Sequence, residues 1–181
     1  MALPRLTFVL GGARSGKSAY AESLLANTAL RTYIATAEAF DDEMRARINM
    51  HQNDRGANWT TVEAPLALAE AVAQLPNQPA LLDCLTVWLG NLMHAERDLG
   101  QEGERLVEAL VAAPGPLVVV SNEVGQGIVP ENAMTRRFRD AAGQLNQRVA
   151  AVADRVVLVS AGLPLTLKGE NRDENQGGHR V

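Results

Sequence analysis

The sequence predicts an α/β fold of three layers, with helices on both faces of a mainly parallel sheet. Short apolar runs rich in Val, Ile and Leu alternate along the chain with longer segments of helical character. Parallel strands need such crossover connections, and the crossover helices then cover the sheet. The chain has 181 residues, of which 46% are hydrophobic and 21% charged, a composition that suits one domain with a sizeable core.

A glycine-rich loop between the first strand and the first helix makes this prediction more specific. Residues 6–10 are apolar, residues 11–18 read G-G-A-R-S-G-K-S, and residues 19–25 are typical of a helix. The loop matches the G-x-x-x-x-G-K-[ST] pattern of the Walker A phosphate loop. The predicted fold is therefore that of a P-loop nucleoside triphosphatase, in its RecA-like form.

Each part of this loop has a predicted role in holding a nucleotide. Gly11 and Gly16 permit backbone conformations that are closed to other residues. The loop amides can then surround a polyphosphate at a helix N-terminus. Lys17 is expected to reach the β- and γ-phosphates, and the Ser18 hydroxyl to hold Mg²⁺. The predicted nucleotide-binding residues of the loop are Gly11, Gly12, Ala13, Arg14, Ser15, Gly16, Lys17 and Ser18.

The other elements follow in alternation along the chain. Further strands are predicted at residues 31–36, 59–63, 80–85, 117–121 and 155–159, the last of which closes the sheet. Further helices are predicted from residue 41 onward and at residues 66–75, 86–94, 104–113 and 132–152. Residues 1–167 form the predicted catalytic domain, and the polar tail of residues 168–181 is predicted to be disordered.

Two acidic residues at strand ends are candidates for the metal site. Asp83 ends an apolar run, as in a Walker B strand, where a carboxylate holds Mg²⁺ or its water beside the phosphate loop. The alternative is that Asp83 caps the next helix. Glu123 is a second acid at a strand end, and it leaves the metal assignment open.

Charge and composition limit the partners and the cellular location that we expect for the protein. The net charge of −4 implies no broad attraction for nucleic acid or an anionic membrane. Cys84 is the single cysteine, and in an apolar strand it is predicted to be a core residue. No apolar run reaches the length of a membrane span and no signal peptide is recognised, so we expect a cytoplasmic protein without membrane insertion.

Several separate segments together resemble the bifunctional adenosylcobinamide kinase/adenosylcobinamide-phosphate guanylyltransferase family. The glycine loop is similar to that of the family, and the similarity extends from about residue 6 to about residue 168. The other segments that carry it are residues 33–36 and 42–44, Arg47, Ile48, His51, Arg55, Trp59, and residues 122–132, 137–140, 143 and 145–147.

The resemblance implies two reactions in the assembly of the nucleotide loop of cobalamin. In the first, ATP or GTP phosphorylates the aminopropanol hydroxyl of adenosylcobinamide. In the second, GMP passes from GTP to that phosphate through a GMP–histidine intermediate, giving pyrophosphate and adenosylcobinamide-GDP. The resemblance also suggests a homo-oligomer, a trimer, with the corrinoid bound near a subunit boundary.

The family's nucleophile corresponds to His51 in this chain. A neutral imidazole nitrogen can attack an α-phosphate at neutral pH and form a labile phosphoramidate. Arg47 and Arg55 lie one helical turn to either side and can neutralise phosphate charge. His94, in an apolar helix, and His179, in the tail, are poorer candidates. The further nucleotide contacts that the resemblance implies are Thr36, Ala37, Glu38, Gln52, Asn53, Asp54, Arg55, Glu63 and Asp83.

Three questions stay open from the residues themselves. Arg136, Arg137 and Arg139 form either a solvated helix face or contacts to phosphate or corrinoid. The chain is alternatively a P-loop metabolite kinase without guanylyl transfer. It is also compatible with a nucleotide-regulated binding or assembly module, since the phosphate loop alone does not define a reaction.

Overall fold

The computed structural model describes residues 3–37 and 58–170, and this part of the chain contains seven strands and five helices. The strands are β1 (Leu6–Gly11), β2 (Arg31–Ala35), β3 (Trp59–Glu63), β4 (Ala80–Asp83), β5 (Leu117–Asn122), β6 (Arg155–Ser160) and β7 (Leu163–Lys168). The helices are α1 (Lys17–Leu24), α2 (Leu68–Ala73), α3 (Leu85–His94), α4 (Leu99–Ala112) and α5 (Ala133–Val152).

The strands of the described residues form one sheet in the order β3-β2-β4-β5-β1-β6-β7. All neighbouring pairs are parallel except β6 and β7, which are antiparallel. β5 is therefore the central strand, and it separates β1 from β4. The predicted mainly parallel sheet is confirmed, and the carboxyl ends of its parallel strands lie along one edge.

Helices cover both faces of the sheet, because alternate residues of each buried strand point to opposite sides. On one face Val9, Leu81 and Val120 pack with Ala21 of α1; we call this the α1 face. On the other face lie α2 to α5, whose fully buried side chains include Trp88 and Leu106. The three-layer architecture is as predicted.

The carboxyl-terminal part of the sheet differs from the prediction. The strand at residues 155–159 was expected to close the sheet, and this is wrong, since β7 pairs with β6 beyond it. A two-residue turn, Ala161 and Gly162, joins the two strands with φ of 51° and 79°. Positive φ at both positions is the geometry of a type I′ hairpin, whose twist matches that of the strands it connects.

The start of α4 also differs from the prediction. Residues 95–103 were expected to be a connection, but the helix begins at Leu99, five residues before the expected position. The Asp98 side chain accepts hydrogen bonds from the amides of Gly100 and Gln101, at 2.9 and 3.0 Å. This cap satisfies amide groups at the helix start and offsets the low helix propensity of Gly100 and Gly103.

Within residues 3–37 and 58–170, none of the helices combines the length and apolar character that crossing a bilayer requires. The predicted tail begins inside the ordered fold, because Lys168 still belongs to β7 and its Nζ donates to the carbonyl groups of Ala150 and Ala151. Residues 171–181 lie outside the described part. The proposed division at residues 167 and 168 remains a prediction.

Candidate active site

The glycine loop turns from β1 into α1 at the carboxyl edge of the sheet. The amide of Ser15 donates to the carbonyl oxygen of Gly12 at 3.3 Å, which closes the turn. Arg14 has φ of 57° and Gly16 φ of 93°, so two loop residues have left-handed backbone conformations. Left-handed residues in a tight loop direct backbone N–H groups toward its inside, as anion binding requires.

Close packing explains two of the three glycines in the loop. A Cβ on Gly11 would lie 2.6 Å from the carbonyl oxygen of Val159 in the neighbouring strand β6. A Cβ on Gly16 would lie 3.2 Å from the Cα of Gly162, and the positive φ of Gly16 adds strain for any other residue. A Cβ on Gly12 would meet no atom within 4 Å. The fold itself therefore requires glycine at positions 11 and 16 but not at 12.

Lys17 is the first residue of α1, and its side chain folds back over the loop. Its Nζ donates a hydrogen bond to the carbonyl oxygen of Gly12 at 3.2 Å. Ser18 follows in the first turn of the same helix. The sequence motif thus places a cation, a hydroxyl group and the amino end of a helix together at the end of β1. This combination of groups is suited to a polyphosphate.

Asp83 ends β4 on the same side of the sheet as this loop. It follows Leu81 by two residues, and Leu81 packs on the α1 face, so the Asp83 side chain also projects there. Its Oδ2 accepts a hydrogen bond from the hydroxyl of Tyr33 at 3.3 Å. Asp83 is only partly buried. The carboxylate is held by a neighbouring strand and still has access to a ligand.

Cys84, the residue after Asp83, is held by Thr36, the residue that follows β2. The peptide bond between Asp83 and Cys84 is cis. Thr36 Oγ1 accepts from the Cys84 amide at 2.9 Å and donates to the Cys84 carbonyl oxygen at 2.8 Å. Thr36 is fully buried, and its own carbonyl oxygen accepts from Asn91 Nδ2 at 2.8 Å. Both its hydroxyl and its carbonyl group are therefore used within the protein, and its expected nucleotide contact stays a prediction.

Cys84 is a core residue, although it adjoins the candidate metal acid. It is 7% exposed. Burial, and secondarily the charge of Asp83, raises the pKa of its thiol to about 11, while the charge of Lys17 acts in the opposite direction. The thiol is therefore protonated at neutral pH and poorly nucleophilic. The interpretation of Cys84 as a core residue agrees with this environment.

Glu123 is the residue after β5, and the alternation of that strand directs it away from the side of Asp83. In β5, Val118 and Val120 pack on the α1 face, so alternation puts Asn122 on that face and Glu123 on the other. The Glu123 carboxylate accepts a hydrogen bond from the Gly125 amide at 2.6 Å. Of the two candidate acids, Asp83 is the one that faces the loop.

The turn between β6 and β7 borders the phosphate loop, a contact that was not predicted from the sequence. The Gly162 amide donates to the carbonyl oxygen of Ser15 at 2.8 Å. An X-Gly pair between two apolar runs is typical of a β-hairpin. Ala161-Gly162, followed by Leu163, Leu165 and Leu167, is the sequence pattern that could have predicted this hairpin. Tyr33 and Asn91 were likewise missed as supports of the site, and no local pattern marks them.

Arg136 and Arg137 of α5, but not Arg139, line a surface cavity of about 750 Å³ together with the start of α4. Arg136 donates to the carbonyl groups of Pro130 and Glu131, and Arg139 pairs with Asp140 at 3.0 Å. Arg137 is exposed. The charged residues around the cavity are Arg97, Arg136, Arg137, Glu96, Asp98 and Asp140. The cavity is balanced in charge, and whether these arginines contact a ligand stays open.

The remaining predicted site residues divide into two groups. Ala37 follows β2, and Glu63 is exposed at the carboxyl end of the edge strand β3, paired with Ala35. His94 lies at the exposed end of α3. The others fall in residues 38–57, outside the described part of the chain: Glu38, Arg47, His51, Gln52, Asn53, Asp54 and Arg55.

The residues present fit a magnesium ion bound together with a nucleotide. Mg²⁺ is usually held by one or two protein oxygens plus phosphate oxygens and water. Ser18 and Asp83 supply a hydroxyl and a carboxylate of this kind. Within the described residues, no group of three or more His, Cys, Asp or Glu side chains forms a complete metal cage. Bound Mg²⁺ would neutralise charge on the β- and γ-phosphates.

The fold and the loop define the class of protein: a P-loop nucleotide-binding protein. The chain is similar in structure to an ATPase of the type III secretion system of pathogenic bacteria, with a TM-score of 0.54 at 11% identity over 92% of this chain and 57% of the other. It is also similar to protein PH0250 from Pyrococcus horikoshii OT3, with a TM-score of 0.51 at 11% identity over 96% and 90% of the two chains. These likenesses concern the fold alone.

Sequence comparison identifies the family within that class. The model of the family described as cobinamide kinase / cobinamide phosphate guanyltransferase matches residues 7–167. The chain is 47% identical to the bifunctional adenosylcobalamin biosynthesis protein CobP of Pseudomonas aeruginosa, over 90% of this chain and 96% of that protein. It is 41% identical to the protein CobU of Salmonella typhimurium, over 90% and 99% of the two chains.

This chain therefore belongs to the cobinamide kinase / cobinamide phosphate guanyltransferase family. Its activities are the phosphorylation of cobinamide and the transfer of a guanylyl group to cobinamide phosphate, in cobalamin biosynthesis. Both reactions use a nucleoside triphosphate as substrate.

Proposed function

We propose that the glycine loop and the end of β4 form the nucleotide site for both reactions. The observation that carries this proposal is that Asp83, Gly11 and Lys17 gather at one edge of the sheet on the α1 face. The loop amides and Lys17 bind the triphosphate, and Ser18 and Asp83 hold Mg²⁺ against its β- and γ-phosphates. The remaining loop residues shape this cradle.

In the kinase step the acceptor is the hydroxyl of the aminopropanol arm of adenosylcobinamide. Its oxygen forms a bond to the γ-phosphorus of ATP or GTP, the bond from the γ-phosphorus to the bridging oxygen breaks, and the nucleoside diphosphate leaves. The hydroxyl proton is released to solvent as the new bond forms. Lys17 stabilises the negative charge that shifts toward the leaving oxygen.

In the guanylyl step we assign the nucleophile to His51. Its neutral imidazole nitrogen forms a bond to the α-phosphorus of GTP, and pyrophosphate leaves. A phosphate oxygen of adenosylcobinamide phosphate then displaces the imidazole, which gives adenosylcobinamide-GDP and restores His51. The residue types and the family resemblance support this assignment, with Arg47 and Arg55 as charge partners and Glu38, Gln52, Asn53, Asp54 and Glu63 as further nucleotide contacts.

We also propose that the protein forms a trimer with the corrinoid bound near a subunit boundary, a proposal that the family resemblance supports. Cytoplasmic location is likewise the expectation from the sequence, and the supply of nucleoside triphosphates there supports it.

Covalent labelling tests the guanylyl step. Incubation of the wild-type protein with α-labelled GTP should give an acid-labile, base-stable protein adduct, and the His51→Ala variant should give none. His94→Ala is the matched control, since this exposed histidine lies at the end of α3 and should leave labelling unchanged. Folded wild-type protein that takes up no label would refute the histidine mechanism.

The shared site is tested by the effect of Lys17→Ala on the two reactions. We expect both the kinase rate and adduct formation to fall at least tenfold, because the same lysine serves both triphosphates. Loss of only one activity would show that the two reactions use separate nucleotide sites. A protein that binds nucleotide but consumes none with adenosylcobinamide present would be a regulatory module instead.

A further inference from the structure

The end of β5 lies between the two parts of the proposed nucleotide site. β5 pairs with β1 on one side and β4 on the other, with Asn122 opposite Gly11 and Val120 opposite Asp83. Alternation places the side chains of Asp83 and Asn122 on the α1 face, where Lys17 begins its helix. Asn122 therefore lies beside the first residue of the phosphate loop and two residues beyond the position opposite Asp83, on the same face.

The backbone of Asn122 is held from three directions. Its amide donates to Thr86 Oγ1 at 2.7 Å, and its carbonyl oxygen accepts from Asn146 Nδ2 at 3.2 Å. The amide of the following residue, Glu123, donates to the carbonyl oxygen of Gly11 at 3.1 Å. Such a set of bonds fixes where the Asn122 side chain begins.

Two of these supports connect Asn122 to other parts of the site and the core. Thr86 lies in the first turn of α3, three residues after Asp83, and its hydroxyl also contacts that of Ser121 at 3.2 Å. Asn146 is a buried residue of α5, with 6% of its surface exposed. The end of β5 is thus tied to the segment that carries Asp83.

The side chain of Asn122, in contrast to its backbone, makes no hydrogen bond to any other residue of the described chain, and it is only partly buried. A carboxamide carries two N–H donors and one oxygen acceptor and stays neutral at all physiological pH values. It can donate to a phosphate oxygen without competing with Asp83 for a cation. A fixed backbone with a free polar side chain is the arrangement that ligand binding needs.

We propose that the Asn122 carboxamide donates a hydrogen bond to the γ-phosphoryl group during the kinase step, and that Thr86 and Asn146 are its positioning residues. This inference rests on the nucleotide site proposed above. Lys17 and the metal held by Asp83 act on the β- and γ-phosphates, so a side chain between them borders that end of the triphosphate. In guanylyl transfer the same phosphate is part of the leaving pyrophosphate.

The test compares Asn122→Ala with the matched neighbour variant Glu123→Gln. The Asn122→Ala variant should lower the kinase kcat about 10- to 100-fold, the loss expected for one hydrogen bond to a charged transition state. Adduct formation from α-labelled GTP should fall less than tenfold, because the γ-phosphate does not react in that step. Glu123→Gln should keep both rates within about twofold.

Thr86 variants separate positioning from general stability. Thr86→Val removes the acceptor for the Asn122 amide and should lower the kinase kcat about fivefold or more with little change in the KM for GTP. Thr86→Ser restores the hydroxyl and should restore kcat. Thermal unfolding of each variant confirms that it is folded under the assay conditions.

The outcomes distinguish this inference from the proposed site. If Lys17→Ala abolishes kinase activity while Asn122→Ala leaves it unchanged, the role of Asn122 is overturned and the site stands. A greater loss of kinase activity in Glu123→Gln than in Asn122→Ala also overturns the role of Asn122. If Lys17→Ala has no effect, the site itself is wrong, and the Asn122 assignment fails with it.

Discussion

The hydroxyl of Tyr33 in β2 donates to Oδ2 of Asp83 in β4, across 3.3 Å. Tyr33 is itself fixed, since it is 5% exposed and its ring meets that of Trp59 edge-on, with centroids 5.9 Å apart. A buried and immobile ring thus orients the carboxylate that we assign to the metal. The geometry of the acid depends on a strand that carries no part of the phosphate loop.

Removing this hydroxyl should weaken the metal site and leave the fold intact. Tyr33→Phe keeps the ring contact with Trp59 and loses one hydrogen bond, which is worth about 0.5–1.5 kcal/mol. We expect the kinase rate at low Mg²⁺ to fall about three- to tenfold and the Mg²⁺ concentration for half-maximal rate to rise. Titration of the rate with Mg²⁺ measures both effects.

A hydrogen bond at the other end of β2 provides the control. Gln78 Nε2 donates to Thr32 Oγ1 at 2.8 Å, at the amino end of the strand and remote from the loop. Gln78→Ala should lower stability by a similar amount without altering the Mg²⁺ dependence. Superimposable Mg²⁺ titrations for wild type and Tyr33→Phe would show that Tyr33 has no part in orienting Asp83.

The buried hydroxyl of Thr36 is predicted to contribute strongly to stability. Thr36→Val keeps the volume but leaves the buried amide of Cys84 without an acceptor, which costs about 1–3 kcal/mol, whereas the Cys84 carbonyl oxygen still accepts from the Trp88 amide at 3.2 Å. We expect a loss of about 1–3 kcal/mol in the free energy of unfolding, measured by urea denaturation. Thr36→Ser, which retains the hydroxyl, should recover most of it; equal losses in the two variants would contradict the hydrogen-bond explanation.

The raised pKa of Cys84 predicts a loss of stability at alkaline pH. The thiol pKa is about 11 in the folded protein against 9.0 for an unperturbed cysteine. Between these values the unfolded thiol releases its proton while the folded one retains it, so rising pH favours unfolding. At a pH above the pKa of the folded protein, the loss in the free energy of unfolding approaches about 2–3 kcal/mol.

Replacing the thiol isolates this contribution. Cys84→Ala should flatten the dependence of the unfolding free energy on pH from 9 to 11, whatever its effect on stability at neutral pH. Urea denaturation of both proteins across this range gives the difference in slope. Parallel curves would mean that burial does not perturb the thiol.

The glycines of the phosphate loop should differ in their tolerance of a methyl group. Gly11→Ala forces a Cβ to within 2.6 Å of the Val159 carbonyl oxygen and should cost about 1–3 kcal/mol of stability, whereas Gly12→Ala meets no neighbour within 4 Å and should be near neutral. Denaturation without nucleotide compares the two variants. Comparable losses would show that the loop relaxes around Gly11.

Local patterns predicted the parts of the site that lie close together in sequence. The glycine loop, the strand that ends at Asp83 and the long helix after Asn132 each follow a strong periodicity or motif, and the structure has them near the expected bounds. Strands and helices of this kind are determined largely by the spacing of apolar residues.

The supports of the site were not predictable in the same way. Tyr33 is 50 residues from Asp83, and Thr86 is 36 residues from Asn122. Such pairs exist only after the order of the strands is known, which periodicity does not reveal. The choice between Asp83 and Glu123 also needed the structure, because it depends on which residues of β4 and β5 pack on the α1 face.

The hairpin between β6 and β7 has a consequence for protein engineering. Surface turns of two residues are usually the safest places to insert a tag, a fluorophore or a new terminus. Here the amide of Gly162 donates a hydrogen bond to the carbonyl oxygen of Ser15, and the Cα of Gly162 lies 3.2 Å from the position that a Cβ on Gly16 would take. A peptide inserted at this turn would displace the phosphate loop that packs against it, so probes and fusions should be placed elsewhere on the molecule.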